Sequence, residues 1–394
     1  MKTKKSLLSI LIICTLFCSN NEQRYRDFDL ETISCSSKVV KNIICSNVTD
    51  SIRYIALETT DNCLISNIIQ IKTDDGILVI RDDMNVYVFQ DDGKFISQIG
   101  KKGQAPDEYT NIIDFYLNRK DKRIVLIDNM KSKSIMYSYT GKYLGSTDVD
   151  KSFFDLNFCE MNNNNMLLTN NLLPSPYTTN LSEYQLFKVE NGKHILKENI
   201  LPFTTYGGDV ATQFSRRPIS YQKSHMLFSS ALSNILYEYT DEIRPKYVVK
   251  PIKDFPDEKY LKDNKDVPIA DLRKKIAEKG LSTGIRGVRE LPQYILLFID
   301  NGTLIWDKKN KKGIYNYMFE YDDLNLICIL MGGMTVENNS GGLISIIEPE
   351  IVLNQDKLVN TDLQQIRKNL KVDDNPILSV VYFNDHFVVD EWKE

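Results

Sequence analysis

Four tight-turn signals at a near-constant spacing constrain this chain more than any other feature. Asp92-Gly93-Lys94, Thr140-Gly141-Lys142, Asn191-Gly192-Lys193 and Thr240-Asp241-Glu242 step by roughly fifty residues, a period typical of repeat architectures. Asp-Gly and Asn-Gly between alternating apolar runs signal hairpins, because these residues tolerate the positive φ of a tight turn. Each turn lies inside a two-strand pattern: NVYVFQDDGKFISQIG, SIMYSYTGKYLGS, YQLFKVENGKHILKEN and ILYEYTDEIRPKYVV. Shorter apolar runs precede them, GILVI at 76–80, RIVLI at 123–127, NMLLT at 165–169 and HMLFSS at 225–230. One unit is therefore a strand, a short loop, a strand, a tight hairpin and a third strand, then a connection carrying the fourth. That is the blade of a β-propeller.

A fifth unit, YILLFIDNGTLIWDKKNKKGIYNYMFEY, keeps the pattern. The sixth is irregular: GGLISIIEP, a polar helical stretch DKLVNTDLQQIRKNLKV, then NPILSVVYF. SIRYIALET (51–59) precedes the first full unit. It is expected to join the last blade, since ring closure removes two exposed sheet edges. The fold class read from this pattern is all-β, a six-bladed β-propeller of four-stranded antiparallel blades over residues 51–390, with five or seven blades as neighbouring counts. Residues 251–290 interrupt the repeat as a partly helical insertion, where IADLRKKIAEKG has helical composition and a glycine stop. Insertions in propellers fall on one face of the disc. The Asn-rich MNNNNM (161–166) reads as a tight loop.

The composition agrees. Of 394 residues 42% are hydrophobic, and 21 tyrosines and 17 phenylalanines suit strands better than helices. A net charge of −4 supplies no basic face, so nucleic acid is not an expected partner.

The N-terminus is a separate matter. MKTKK is a basic leader, and LLSILIICTLF is an apolar run of 11 residues. That is too short to span a bilayer but right for a signal peptide. The run stops at Cys18, as in a bacterial lipoprotein signal, so residues 1–17 are expected to be removed and Cys18 lipidated. Phe17 stands where a small residue is usual, which keeps an ordinary secretory signal or an uncleaved anchor open. Each alternative exports the chain, and the expected location is the periplasm or outer membrane. Residues 18–50 read as an N-terminal tether or edge segment. The cysteines after Cys18 are Cys35, Cys45, Cys63, Cys159 and Cys328, an odd and scattered set rather than a disulfide framework. Cys35 and Cys45 are close enough in sequence to pair.

The loop GKKGQAPDEY (Gly100–Tyr109), the segments SNILYEY and PKYVV, and the C-terminal GGLISIIEP and DDNPILSVVYF occur in a telling order. In these the chain resembles the six-bladed β-propeller lipoproteins exported by Bacteroides-type gut bacteria, related in architecture to NHL-type propellers. The resemblance runs from about Ile52 to Phe383 and departs at QAPDEY, where the family carries a Gly-Pro-Gly-type turn. It implies fold and compartment rather than a reaction.

Chemistry is less legible. GKKGQAPDEY is no phosphate loop, since its lysines precede the second glycine, no Ser or Thr follows a lysine, and Pro106 removes an amide donor. It reads as a structural corner in which Glu108 bonds backbone amides and Tyr109 packs at a blade junction. Asp74-Asp75, Asp82-Asp83, Asp91-Asp92, Asp322-Asp323 and Asp373-Asp374 are carboxylate pairs of the kind glycoside hydrolysis needs, but they sit at strand ends, where Asp caps backbone. His194, His225 and His386 are too scattered for a zinc site or a triad, and no metal is expected. His194, in a hairpin turn, and His386, in the tail, are expected to face solvent.

The binding candidates are Arg216, Arg217, Tyr221, Arg286, Arg289 and Trp306, with Glu108 and Tyr109 keeping a smaller claim. Guanidinium forks recognise carboxylates, and aromatic faces stack on sugars or cations. The expectation is an exported, lipid-anchored, monomeric propeller that binds a glycan, a peptide or an envelope protein at the channel mouth, without cofactor or catalysis. A polysaccharide hydrolase or lyase at the same mouth, and a structural accessory of an outer-membrane uptake complex, are the alternatives.

Overall fold

Antiparallel pairing organises the chain into six blade-like sheets in the computed structural model. It describes residues 29–35, 39–151, 153, 156–171, 182–202, 219–222, 224–230, 232–264, 266–321, 324, 326–328, 336–337 and 341–384. Three strands precede the first complete blade: β1 (Glu31–Ser34), β2 (Val39–Ile44) and β3 (Thr49–Ala56). Blade 1 is β4 (Gln70–Asp74), β5 (Ile77–Arg81), β6 (Val86–Gln90) and β7 (Phe95–Gln98). Blade 2 is β8 (Ile112–Asn118), β9 (Arg123–Asp128), β10 (Lys133–Ser138) and β11 (Tyr143–Asp148). Blade 3 is β12 (Leu156–Met161), β13 (Met166–Asn171), β14 (Ser182–Glu190) and β15 (Lys193–Pro202). Blade 4 is β16 (Ile219–Tyr221), β17 (Met226–Ser229), β18 (Ile235–Tyr239) and β19 (Ile243–Lys250). Blade 5 is β20 (Ile285–Glu290), β21 (Tyr294–Ile299), β22 (Gly302–Asp307) and β23 (Lys312–Tyr321), with β24 (Leu326–Cys328) paired to β23. Blade 6 is β25 (Val336–Glu337), β26 (Leu343–Ile347) and β27 (Ile377–Phe383).

The sixth blade is completed from the other end of the chain. β3 pairs antiparallel with β27, Tyr54 opposite Ser379 and Ala56 opposite Ile377, so the expected ring closure forms. The inner strands β4, β8, β12, β16, β20 and β25 touch one another in cyclic order, β25 returning to β4. β1 and β2 add as parallel fifth strands outside β19 and β23. They cover two outer edges that would otherwise expose unpaired backbone.

The core is a set of six apolar layers between adjacent blades. Val79 and Val88 of blade 1 meet Phe115, Leu117, Leu126 and Ile135 of blade 2. Across the closure, Ile80 and Phe89 of blade 1 meet Ile344 and Leu378 of blade 6. Most blades bury both faces, so central strands read as continuous apolar runs rather than alternating ones. Each fully buried Val, Leu or Ile contributes about 1.5–3 kcal/mol.

Local chemistry sets the corners. Asn191 and Gly192 both take positive φ, 51° and 78°, the two-residue turn their types favour. The Gly100–Tyr109 loop connects blades 1 and 2 as the structural reading requires. Tyr109 is buried and its hydroxyl donates to the Met84 carbonyl at 2.9 Å, while Lys131 Nζ donates to the carbonyls of Ala105 and Glu108 at 2.9 and 2.7 Å. A Cβ at Gly103 would lie 2.0 Å from the Glu108 carboxylate, so any larger residue there would displace that side chain. In the Asn-rich segment Asn162 Oδ1 accepts from the amides of Asn164 and Met166, closing a tight turn.

The insertion folds as α1 (Glu258–Asp263) and α2 (Ile269–Glu278). Asp257 caps α1, and Gly280 (φ 71°) follows α2. Leu261, Leu272 and Ile276 pack on Leu232 of blade 4. The insertion is shorter than expected: residues 285–290 form the inner strand of blade 5, because IRGVRE pairs with β21. Two short helices, α3 (Pro349–Leu353) and α4 (Thr361–Arg367), interrupt blade 6 between β26 and β27. Cys35 and Cys45 do not pair. Both are free thiols, Cys45 inside the layer between blades 5 and 6 and Cys35 beside that between blades 4 and 5. No helix among the described residues is long and apolar enough to cross a membrane.

Candidate functional site

Within each blade the inner strand ends on the same face as the hairpin joining the third and fourth strands. On that face the ends of the inner strands carry charge. β4 ends at Asp74, β8 is followed by Arg119, β12 ends at Glu160-Met161, β16 at Tyr221 and β20 at Glu290.

Arg119 is the hub. Its Nε donates to the Thr73 carbonyl of blade 1 at 3.2 Å, and its Nη1 donates to Glu160 Oε1 of blade 3 at 3.0 Å and to the Met161 carbonyl at 3.3 Å. The guanidinium carbon lies 3.9 Å from the Tyr221 ring centroid in blade 4. One side chain of blade 2 thus touches three other blades. Lys72, from the middle of β4, also crosses to blade 3. Its Nζ donates to the Cys159 carbonyl and to Glu160 Oε2 at 3.0 Å, 4.5 Å from the Phe158 ring. Burial alone would raise the Glu160 carboxyl, but the Lys72 and Arg119 charges outweigh it and hold Glu160 below its usual range. Asp74 behaves likewise: burial opposes ionisation, while hydrogen bonds from Lys122 (2.8 Å) and the Tyr139 hydroxyl (2.7 Å) hold the acid down. Tyr139 and Tyr221 are pushed up, first by burial.

A second group lies farther round the ring. His225 Nε2 is 2.7 Å from Glu290 Oε2, Lys308 Nζ donates to Glu290 Oε1 at 3.1 Å, and Ser224 Oγ lies 3.0 Å from His225 Nδ1. Burial would raise Glu290, but the bond from His225 and the Lys308 charge keep it low. Among the described residues no three His, Cys, Asp or Glu side chains converge as a metal would need.

Of the residues singled out from sequence, Tyr221 belongs to the axial network. Arg286 and Arg289 lie on β20 rather than in an insertion loop. Arg286 Nη1 donates to the Asp300 carbonyl at 3.1 Å, and Arg289 is 2% exposed, its guanidinium 6.0 Å from the Phe298 ring. Trp306 offers no face for stacking: it is 0% exposed, packed between blades 4 and 5 with the Tyr247 ring at 5.7 Å. Glu108 and Tyr109 sit on the opposite face, bonding the corner loop. Arg216, Arg217, His386 and Cys18 lie outside the described residues.

His194 is also placed differently from expectation. It is tucked among Tyr116, Phe153 and Phe187, its Nε2 3.0 Å from the Tyr116 hydroxyl. Burial lowers its pKa to about 4. A turn position predicts exposure only when no neighbouring blade covers it, and here blade 2 does.

Lys72, Arg119 and Glu160 escaped the sequence reading. The usable signal was a charge inside a strand of otherwise buried pattern: Lys72 in QIKTD and Glu160 in LNFCEM. Such charges are almost never fully buried unless paired.

The sequence model of a family described as a domain of unknown function (DUF4934) matches residues 30–382. The fold is similar to that of a Bacteroides fragilis protein inferred to be exported, at 17% identity, covering 90% of this chain and 100% of that one, with a TM-score of 0.69. It is also similar to a DUF4221 member from Bacteroides vulgatus, at 10% identity, covering 86% of this chain and 97% of that one, with a TM-score of 0.50. At these identities the likeness establishes the fold, a six-bladed propeller. No curated protein matches the chain.

Proposed function

The chain belongs to the DUF4934 family, and from that premise we propose that it is an exported, envelope-attached propeller that binds rather than transforms its ligand. The ligand is a glycan, a peptide or another envelope protein, held where the inner strands end around Arg119 and Tyr221. Residues 1–17 act as the signal and Cys18 as the lipid anchor, placing a monomeric propeller in the periplasm or at the outer membrane. The exported Bacteroides neighbour supports this compartment.

The observation that carries the reading is the state of the axial charges. Glu160 and Asp74 are held ionised by cations, Glu290 by His225 and Lys308, and the nearby tyrosines are pushed up rather than down. General acid–base catalysis works best with groups tuned towards the operating pH. These shifts run the other way for both the carboxylates and the tyrosines. A rigid, paired set of charges and rings suits recognition, since it holds its geometry before the ligand arrives.

The test is a glycan and peptide binding screen on residues 24–394, with reducing-sugar release assayed in parallel. Saturable binding without turnover, weakened about ten-fold or more by Tyr221→Ala, is the expected result. Release of sugar would replace the binding reading with the hydrolase or lyase one. The anchor is tested by fractionating cells that express Cys18→Ala: the variant should become soluble while the parent stays with membranes, and unchanged partitioning would sink the lipid anchor.

A further inference from the structure

On the same face, away from the axis, a cleft of about 570 Å³ opens between blades 2 and 3. That lies within the range of about 300–1,000 Å³ usual for small-molecule pockets. Its lining is divided by chemistry. Tyr116, Val125, Met136 and Val189 form its buried floor, while Arg123, Asn165, Lys188 and Asn191 are among the polar groups around it. The Tyr116 ring is pinned from behind, its hydroxyl engaged by His194.

Two of the polar groups are unspent. Among the described residues the Arg123 side chain has no hydrogen-bond or ion-pair partner, although guanidinium groups beside carboxylates usually find one. Asp121, which also lines the cleft, instead accepts from Asn118 Nδ2 at 3.0 Å, and Glu190 is taken by Lys188 at 2.6 Å. Asn165 Oδ1 is buried and has no hydrogen-bond partner. Its backbone is committed, its carbonyl accepting from the Val189 amide at 2.8 Å, so the side chain is held in place. Leaving a buried acceptor unsatisfied is unfavourable, a cost that a donor from a ligand would remove.

We propose that this cleft binds a hydroxylated carboxylate of the acidic-sugar class, with Arg123 taking the carboxylate and Asn165 Oδ1 accepting from a hydroxyl. The planar guanidinium matches a carboxylate with two parallel hydrogen bonds. The mostly polar rim suits a ligand rich in hydroxyls. The site lies away from the axis, and the Tyr221 hydroxyl reaches only Asn163 of the turn that carries Asn165.

The test is calorimetric titration of residues 24–394 with glucuronate, with glucose, and with a short oligouronide. Saturable glucuronate binding that is at least ten-fold tighter than glucose binding is expected. Arg123→Gln should weaken it about ten-fold or more and erase the preference over glucose. Asn165→Gly, chosen because position 165 has φ 61°, should weaken both sugars alike. Arg123→Gln should leave unchanged the binding of any ligand the screen above finds at the axis, which separates this site from the axial one. A tighter fit of the oligouronide would assign the cleft to a polymer and equal affinity to a free acid; both support the proposal. Absence of glucuronate binding by a protein with an unaltered melting temperature would overturn it. So would equal affinity for glucose, or indifference to Arg123→Gln.

Discussion

The acids in the turns and the acids at the axis of the disc work in opposite ways, and turn acids such as Asp92 and Asp307 clamp local backbone on the axial face too. On the face with the blade-to-blade connections, acids clamp local backbone. Asp82 Oδ1 accepts from the amides of Met84 and Asn85 at 2.8 and 2.6 Å, Asp128 takes those of Thr110 and Lys131, and Asp300 takes that of Thr283. Asn375 does the same work with its amide group, joining Ile65, Glu58 and Cys63. On the other face, Glu160 and Asp74 bind side chains from different blades. The difference teaches where rigidity comes from. Turn acids shape a single connection, whereas the axial acids tie blades together, and only the second arrangement can present a composite surface to a ligand.

The comparison breaks most visibly at Glu160. Glu160→Gln leaves Lys72 and Arg119 buried without their counter-charge, and about 3–5 kcal/mol of stability should be lost, read as a lower denaturant midpoint. Asp82→Asn, the matching change on the other face, should cost about 1–2 kcal/mol; an equal loss at the two sites would erase the distinction.

A smaller effect comes from His194. Its imidazole has a pKa of about 4 in the fold against a usual 6.5. The unfolded chain therefore binds more protons between those values, so stability is greatest above pH 6.5 and declines as pH falls towards 4. About 2 kcal/mol should disappear across this window, allowing for partial exposure. Unfolding curves from pH 4 to 7 should show a shallower decline in His194→Phe. At the acid end of this window the carboxylates with lowered pKa values, Glu160, Asp74, Glu290 and Glu238 among them, begin to lose stability in the same direction as they are protonated.

Tyr109→Phe should cost about 1 kcal/mol through the bond to the Met84 carbonyl, with no effect on ligand binding at the other face. The smallest effect is expected at Lys101, whose ammonium is 3.3 Å from Glu108 but 72% exposed. Lys101→Ala should leave the midpoint unchanged, as solvent and salt screen such pairs. A clear shift would mean that the corner loop depends on charge rather than on Tyr109 and Lys131.

Much of the architecture was legible because its signals are local. Asn191-Gly192 forms its turn from two residues, IADLRKKIAEKG carries helix and stop in twelve letters, and SIRYIALET had to find an edge. The insertion's end was misjudged because Arg286 and Arg289 look like loop residues until β21 claims them as strand. Trp306 looked like a stacking face for a related reason: nothing in GTLIWD tells which aromatic faces a neighbouring sheet. The cleft residues Arg123 and Asn165 carried no signal at all, since what marks them is the lack of a partner.

Sequence by itself determined the repeat and the strand that closes the ring, because hairpin chemistry and strand length act within a few residues. The count of six blades was settled by the sheet pairing. The tertiary structure alone decided the site. Lys72, Arg119, Glu160 and Tyr221 stand on four blades and acquire one another only when the ring brings the ends of their inner strands together. Their charges are tolerable in the interior only after that closure supplies each with its partner.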